Sequence, residues 1–207
     1  YDEVLSLLLS SGQKISYHHP GDLPVILANY TTLLNLPVET NWNDILQTGK
    51  NLFRGLVAEP HPPLFFLGQH LWLRLFGNSE IAMRSLPMLF SIGAIGCAYS
   101  LGRYLLGNRG GLLLAALLGL NPYYLFHSLN VRMYSSLVFW VLLSAWSLLE
   151  LLPSTAKNSN NFDHHKKHHL KILWNLTFII SVIGGLLTFY YFIIWLVTLA
   201  IIVFWLE

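Results

Sequence analysis

The chain has 207 residues, of which 54% are hydrophobic and only 11% are charged. A soluble domain usually carries about 25% charged residues, so this composition excludes an ordinary soluble domain and indicates an integral membrane protein. The formal net charge is +2, and no basic stretch alternates with aromatic residues, so nothing predicts nucleic acid as a partner. The single cysteine, Cys97, excludes an internal disulfide and a cysteine-based metal cluster.

Residues 1–84 form a long and mostly polar region, which we predict to be a large extracytoplasmic loop with helices on the membrane surface. The pattern from Val4 to Leu9 predicts a short amphipathic helix that ends at Gly12. Residues 16–41 contain His18-His19-Pro20-Gly21-Asp22, Pro24 and Pro37, and they predict a loop with little regular structure. A further helix is expected to run through Ile45 and Leu56, with Asn41 or Asn43 as its N-cap.

A proline corner follows at Pro60-His61-Pro62-Pro63. Prolines forbid helix up to Pro62, but they fit the first turn of the helix that comes next. That helix has Leu67, Leu71 and Leu75 on one face and Gln69, His70 and Arg74 on another, and it ends at Gly77-Asn78. It is too short to cross a bilayer, so we expect it to lie on the membrane surface.

The rest of the chain predicts membrane spans. Residues 85–152 contain three spans. The first covers Ser85–Leu106, and a turn at residues 107–111 follows it. The second runs from Leu112 onward and is interrupted at Asn121-Pro122, and the third covers Met133–Leu152. Residues 153–171 form a polar linker, predicted to be cytoplasmic. Residues 172–206 are too long for one span, so two segments with a turn at residues 188–191 are expected, and one long tilted helix is the alternative.

The orientation follows from the basic residues. Arg103, Arg109 and the four lysines of the linker fall on one side, and a single arginine, Arg132, lies in the loop on the other. The positive-inside rule makes the first side cytoplasmic. Residues 1–84, residues 122–132 and the turn at 188–191 are then expected to meet on the outer face.

Five motifs occur in order: Asp2-Glu3, His61-Pro62-Pro63-Leu64-Phe65-Phe66, His70 to Gly77, Arg84-Ser85-Leu86-Pro87, and Arg132-Met133-Tyr134. As a set they resemble the membrane glycosyltransferases of the GT-C type, over residues 1–152. The resemblance is closest to the bacterial branch related to protein O-mannosyltransferases and the aminoarabinose transferase. It implies an all-α, polytopic membrane protein in the bacterial plasma membrane, with the active site facing outward. We expect this chain to be a piece of that protein, with one membrane span before Tyr1.

The resemblance also implies roles for particular residues. The family's catalytic carboxylate matches Asp2, with Glu3 in support, although two solvated acids at a helix start are the alternative from the residues alone. His61, Arg132, Tyr134 and Arg84 match positions that bind the substrate. For Arg132 an interfacial anchor among aromatic residues is the alternative, and for Arg84 it is a side chain that reaches to the lipid headgroups.

Two departures from the family concern acidic positions. The family's metal-binding Glu before the basic residue is Pro60 here, and the nearest acid, Glu59, lies one residue earlier. A divalent metal is therefore possible without a defined ligand set. The acid that often lies two positions before the conserved arginine is Asn130 here, which can hydrogen-bond a sugar but cannot take a proton.

The function that the resemblance implies is the transfer of a sugar, with inversion, from a polyprenyl-phosphate carrier to an acceptor hydroxyl. The acceptor is a lipid, a glycan or a protein. The absence of a glycine-rich nucleotide loop agrees with a lipid-linked donor. A transporter or lipid flippase and a catalytically inactive scaffold are the alternatives; a transporter needs broken helices near mid-membrane, and Asn121-Pro122 lies toward an end.

Overall fold

The computed structural model describes residues 2–18, 26–57, 59–152 and 164–206, without the side chains of residues 2, 27, 29, 164–168 and 206. These residues form helices and loops, which confirms the prediction of an all-α fold. The α-helices are α1 (Asp2–Ser10), α2 (Leu27–Thr31), α3 (Trp42–Val57), α4 (Leu64–Phe76), α5 (Glu80–Gly119), α6 (Pro122–Leu129), α7 (Tyr134–Leu151), α8 (His164–Thr188) and α9 (Phe192–Leu206). Short 3-10 helices lie at Lys14–Ser16 and Thr32–Leu34.

The helices of the N-terminal region begin and end on local signals. α1 is followed by Gly12 and α4 by Gly77, both with positive φ, 74° and 84°, which is why glycine is required there. Asn41, one of the two predicted caps, directly precedes α3, and its carbonyl oxygen accepts the N–H groups of Asp44 and Ile45. The side-chain contact comes from Asp44, whose carboxylate accepts hydrogen bonds from the backbone N–H groups of Thr40 and Asn41, at 2.9 and 3.1 Å.

The predicted loop at residues 16–41 is partly wrong. α2 and the 3-10 helix Thr32–Leu34 lie within it, while residues 19–25 lie outside the described part of the chain. The sequence pattern did not predict these two helices because both are shorter than the window in which an apolar period can be recognised.

α5 is two antiparallel arms joined at Gly107, where φ is 76° and ψ is −175°. A Cβ atom at Gly102 would lie 2.8 Å from the carbonyl oxygen of Gly110, and one at Gly119 would lie 3.3 Å from Ile95. These two close approaches, one near the bend at Gly110 and one farther along the returning arm at Gly119, show that the second arm runs back along the first. The reversal lies where the sequence predicted a turn, and α6 continues the returning arm beyond the Asn121-Pro122 interruption.

Among the described residues, three helical segments are long and apolar enough to cross a membrane: Glu80–Gly119, Tyr134–Leu151 and His169–Thr188. α7 packs between α5 and α8. α8 ends at Thr188 and α9 begins at Phe192, so the helix is interrupted where the sequence placed a turn. Trp195 of α9 donates a hydrogen bond to Ser144 of α7. The assignment of each span and side to the membrane stays a prediction.

The predicted linker at residues 153–171 has two parts. Residues 153–163 lie outside the described residues, and from His164 onward the chain is already α8. The apolar core lies at the opposite end of the bundle. It joins α1, α4 and the start of α5 to the segment before α7, through Leu7, Leu9, Phe65, Phe66, Leu73, Met83, Val131 and Met133.

Candidate functional site

The N-terminal end of α1 meets the start of α5 and the segment between α6 and α7. Glu3 lies at this junction, because the apolar face of α1 buries Leu7 and Leu9 against α4 and brings the first turn beside residue 131. One carboxylate oxygen of Glu3 accepts the Val131 N–H at 3.1 Å and lies 3.1 Å from Nη1 of Arg84. Glu3 therefore ties three elements together.

Arg84 is held on several sides. Its Nη1 donates to the carbonyl oxygen of Leu129 at 2.8 Å, and its Nε donates to Glu80 at 3.2 Å, one helical turn earlier. With the ion pair to Glu3, these bonds direct the guanidinium across the junction between α1, α5 and α6. Its side chain is 36% exposed, so it is accessible to a ligand from one side.

Arg132 is buried in the same region, with only 9% of its surface exposed. Its Nη1 donates to the Ser6 hydroxyl at 3.1 Å, and its guanidinium carbon lies 5.7 Å from the centre of the Tyr134 ring. Ser6 follows Glu3 by three residues on α1, so both lie on one face of that helix. The contact with Ser6 thus ties Arg132 to the face of α1 that carries Glu3.

A cavity of about 350 Å³ opens at this junction. Glu3, Glu80 and Arg84 line it, together with three uncharged polar residues and with apolar side chains that include Leu7, Leu34 and Met83. Val131 also lines it, and Arg132 follows Val131 in the chain. The cavity thus combines an ion pair with an apolar surface. Asp2 begins α1 beside it, but its side chain lies outside the described part, so its predicted position as a base stays a prediction.

The proline corner forms a second polar group. Nδ1 of His61 lies 2.7 Å from one carboxylate oxygen of Glu59, and the other oxygen accepts a hydrogen bond from Lys14 at 2.8 Å. Burial acts to raise the pKa of Glu59, but the bonds with Lys14 and His61 outweigh it, and the pKa is lowered. Both oxygens of Glu59 are therefore occupied by nitrogen partners.

The hydrogen bond of His61 does not join it to the Glu3 and Arg84 group. Its ring stacks on Phe189, with the ring centres 5.8 Å apart, and Phe189 packs against the core that contains Val131 and Met133. That core connects His61 to the segment that carries Arg132. Within the described residues, no group of three or more His, Cys, Asp and Glu side chains could hold a metal ion.

The polar face of α4 forms a network that the sequence did not predict. Arg74 donates to both carboxylate oxygens of Glu39, at 2.7 and 2.8 Å, and its Nε donates to Nε2 of His70 at 2.8 Å. Nδ1 of His70 in turn donates to the carbonyl oxygen of Ser10 at 2.7 Å. This face packs against protein, while Leu71 and Leu75 point outward.

The electrostatics of this network agree with its geometry. The hydrogen bonds from Arg74 hold the pKa of Glu39 below its ordinary value. Burial lowers the pKa of His70, and the charge of Arg74 acts in the same direction, so His70 is neutral and its Nε2 is free to accept. The spacing of His70 and Arg74 could have indicated their contact, but nothing in the sequence indicated Glu39, or Ser6 beside Arg132.

The fold and this junction define a polytopic membrane protein with a charged cavity at one end of its helices. Residues 60–161, a little under half of the chain, match the family model described as dolichyl-phosphate-mannose-protein mannosyltransferase. The match confirms the resemblance to membrane glycosyltransferases of the GT-C type, and it covers His61, Arg84, Arg132 and Tyr134. Comparisons with curated proteins and with solved structures gave no match.

Proposed function

We propose that the protein transfers a sugar from a polyprenyl-phosphate carrier to an acceptor hydroxyl on the outer face of the membrane, with inversion. The observation that carries the proposal is the cavity lined by both the Glu3–Arg84 pair and apolar side chains, at a junction that also holds Arg132. The donor has the same two chemical parts, an anionic phosphate and an apolar chain. The family match supports a glycosyltransferase in general.

The cations serve the donor phosphate. Arg132 and Arg84 come from different elements but both lie at this junction, and a guanidinium can donate two parallel hydrogen bonds to a phosphate. Tyr134 supports the Arg132 guanidinium through its ring face. His61 has Nε2 available, because Nδ1 is held by Glu59. The apolar wall of the cavity takes the first part of the lipid chain.

Asp2 is the base. In the reaction its carboxylate takes the proton of the acceptor hydroxyl, and the acceptor oxygen forms a bond to the anomeric carbon. The bond between that carbon and the phosphate oxygen breaks, and the phosphate leaves with the electron pair. Attack from the face opposite the phosphate inverts the configuration. Glu3 is a positioning residue, because its carboxylate is held by Arg84 and by the Val131 N–H.

The test is transfer from a radiolabelled polyprenyl-phosphate sugar in membranes, with binding of the donor measured separately. Asp2→Asn keeps the shape and removes the base, so turnover should fall about 100-fold or more with little change in donor binding. Arg132→Ala should weaken donor binding as well as turnover, and His61→Ala should resemble it. Arg54→Ala removes an exposed cation from α3 and is the matched control.

Two results would contradict the proposal. Unchanged kinetics in Asp2→Asn would exclude Asp2 as the base. A wild-type protein that transfers none of several sugars would favour the transporter or scaffold alternatives. Loss of donor binding in the Arg54→Ala control would show that the assay reports net charge and not a specific phosphate contact.

A further inference from the structure

A second cavity, of about 260 Å³, lies between the C-terminal end of α1 and the N-terminal half of α3. Gly12 and Gln13 line it on one side, and Asp44 and Thr48 on the other. Glu3 lies at the opposite end of α1. This helix has nine residues, and at 1.5 Å per residue its ends are about 13 Å apart. The second cavity is therefore separate from the one that contains the ion pair.

The polar groups in its wall are fixed by the protein itself. Glu39 is held by Arg74 through two hydrogen bonds, at 2.7 and 2.8 Å, and that network continues to the end of α1. Asp44 is held by Thr40 and Asn41 through one of its two oxygens. A ligand that enters meets groups that are already ordered, which lowers the entropic cost of binding.

Hydrogen-bonding capacity remains on the side chains that line this cavity. The Gln13 amide donates to the Asn35 carbonyl oxygen, and Gln47 donates to the Asn51 side-chain oxygen. Within the described residues, three acceptor oxygens of the lining have no hydrogen-bond partner: the side-chain oxygens of Gln13 and Gln47, and the Asp44 oxygen that Thr40 and Asn41 do not contact. These are mostly acceptors, arranged around a volume near the lower end of ligand pockets, roughly 300 Å³.

The charge of the lining decides the class of ligand. The cavity is lined by Glu39 and Asp44, and none of the residues that line it is a lysine or an arginine. Glu39 is already neutralised by Arg74, and Asp44 is held by neutral donors. A phosphate would meet the Asp44 carboxylate with no lysine or arginine in the lining, and an apolar chain would leave polar groups unpaired. A neutral molecule rich in hydroxyl groups matches the acceptors.

We propose that this cavity is a remote subsite for a sugar ring of the acceptor, which makes the acceptor a glycan or a glycolipid with more than one sugar. The inference rests on the proposed function and names its acceptor class. Asn35 lines the first cavity and Pro37 lines the second, so the segment between them connects the two. An acceptor that spans about 13 Å over this segment would have its reacting hydroxyl near Glu3 and another ring between α1 and α3. Binding at the remote subsite would then lower the KM for the acceptor and leave the chemical step unchanged.

The experiment fills the cavity and leaves the ion-pair site untouched. Gln47→Trp places a bulky ring in the cavity from an exposed position on α3, and Lys50→Trp adds the same ring to the same helix outside the cavity. The full chain is reconstituted in lipid nanodiscs, and binding of a neutral trisaccharide, maltotriose, and of a panel of other neutral oligosaccharides is measured by saturation-transfer NMR. This readout needs no donor and no turnover.

We expect an oligosaccharide signal in the wild type and in Lys50→Trp, and binding at least about fivefold weaker in Gln47→Trp, the loss that corresponds to one hydrogen bond. In the transfer assay, Gln47→Trp should raise the KM for a glycan acceptor at unchanged kcat. Equal binding in Gln47→Trp and the wild type, or no binding of any oligosaccharide, overturns the inference. Sugar binding without any transfer would keep the subsite and refute the proposed reaction.

Discussion

Removal of Arg74 should open the junction between α1 and α4. Arg74→Ala leaves the Glu39 carboxylate, whose side chain is only 13% exposed, without two hydrogen bonds, and leaves Nε2 of His70 without its donor. Breaking one side of a buried charged pair costs about 3–5 kcal/mol. Because the Arg74 side chain is 25% exposed, we take the lower end, about 3 kcal/mol.

The assay is hydrogen exchange in nanodiscs at the turn after α1, where the N–H groups of Ser11, Gly12 and Gln13 bond to carbonyl oxygens of that helix. Since each 1.4 kcal/mol is a factor of ten, protection there should fall about 100-fold in Arg74→Ala. Arg54→Ala, an exposed cation on α3, should change protection less than threefold and is the control.

A double-mutant cycle with Glu39→Gln separates the pair from its surroundings. Glu39→Gln keeps the shape and removes the charge, so the double variant with Arg74→Ala should cost clearly less than the sum of the two single variants. Strictly additive costs, or a loss of protection below tenfold in Arg74→Ala, would show that the network does not hold α1 to α4.

Three further outcomes are expected. Burial lowers the pKa of His70 below its ordinary 6.5, so the unfolded chain takes up a proton first as the pH falls. The stability of the α1–α4 junction should therefore be full above about pH 6.5 and decline below it. His70→Asn should flatten this decline, as measured by thermal unfolding at several pH values. Gly107→Ala should lower stability by about 1–3 kcal/mol because φ is 76° with ψ at −175°, whereas Gly96→Ala, with open space at its Cβ position, should not. In a chain without its native cysteine, cysteines at Val38 and Asn108 should react with membrane-impermeant reagents from opposite sides, and labelling of both from one side would refute the topology.

The positions of most helices could be predicted from the sequence, because the signals that start and stop a helix are local. Gly12 and Gly77 follow α1 and α4 with positive φ, and the proline corner ends where α4 begins. The apolar runs indicated α5 and α7, and the breaks at Gly107 and after Thr188 follow from the limited thickness of a bilayer. Chain order and motif spacing were also enough to indicate the glycosyltransferase family.

Only the tertiary structure decided which polar residues meet. The sequence assigned His70 and Arg74 to a polar face without a partner for it, but the structure packs that face against Glu39 and Ser10. Arg132 contacts Ser6, which is 126 positions away in the chain. A local pattern reports the period of a helix and its ends. It carries no information on which distant element covers a given face, because burial of a charge is favourable only where a partner from elsewhere in the fold is already in place.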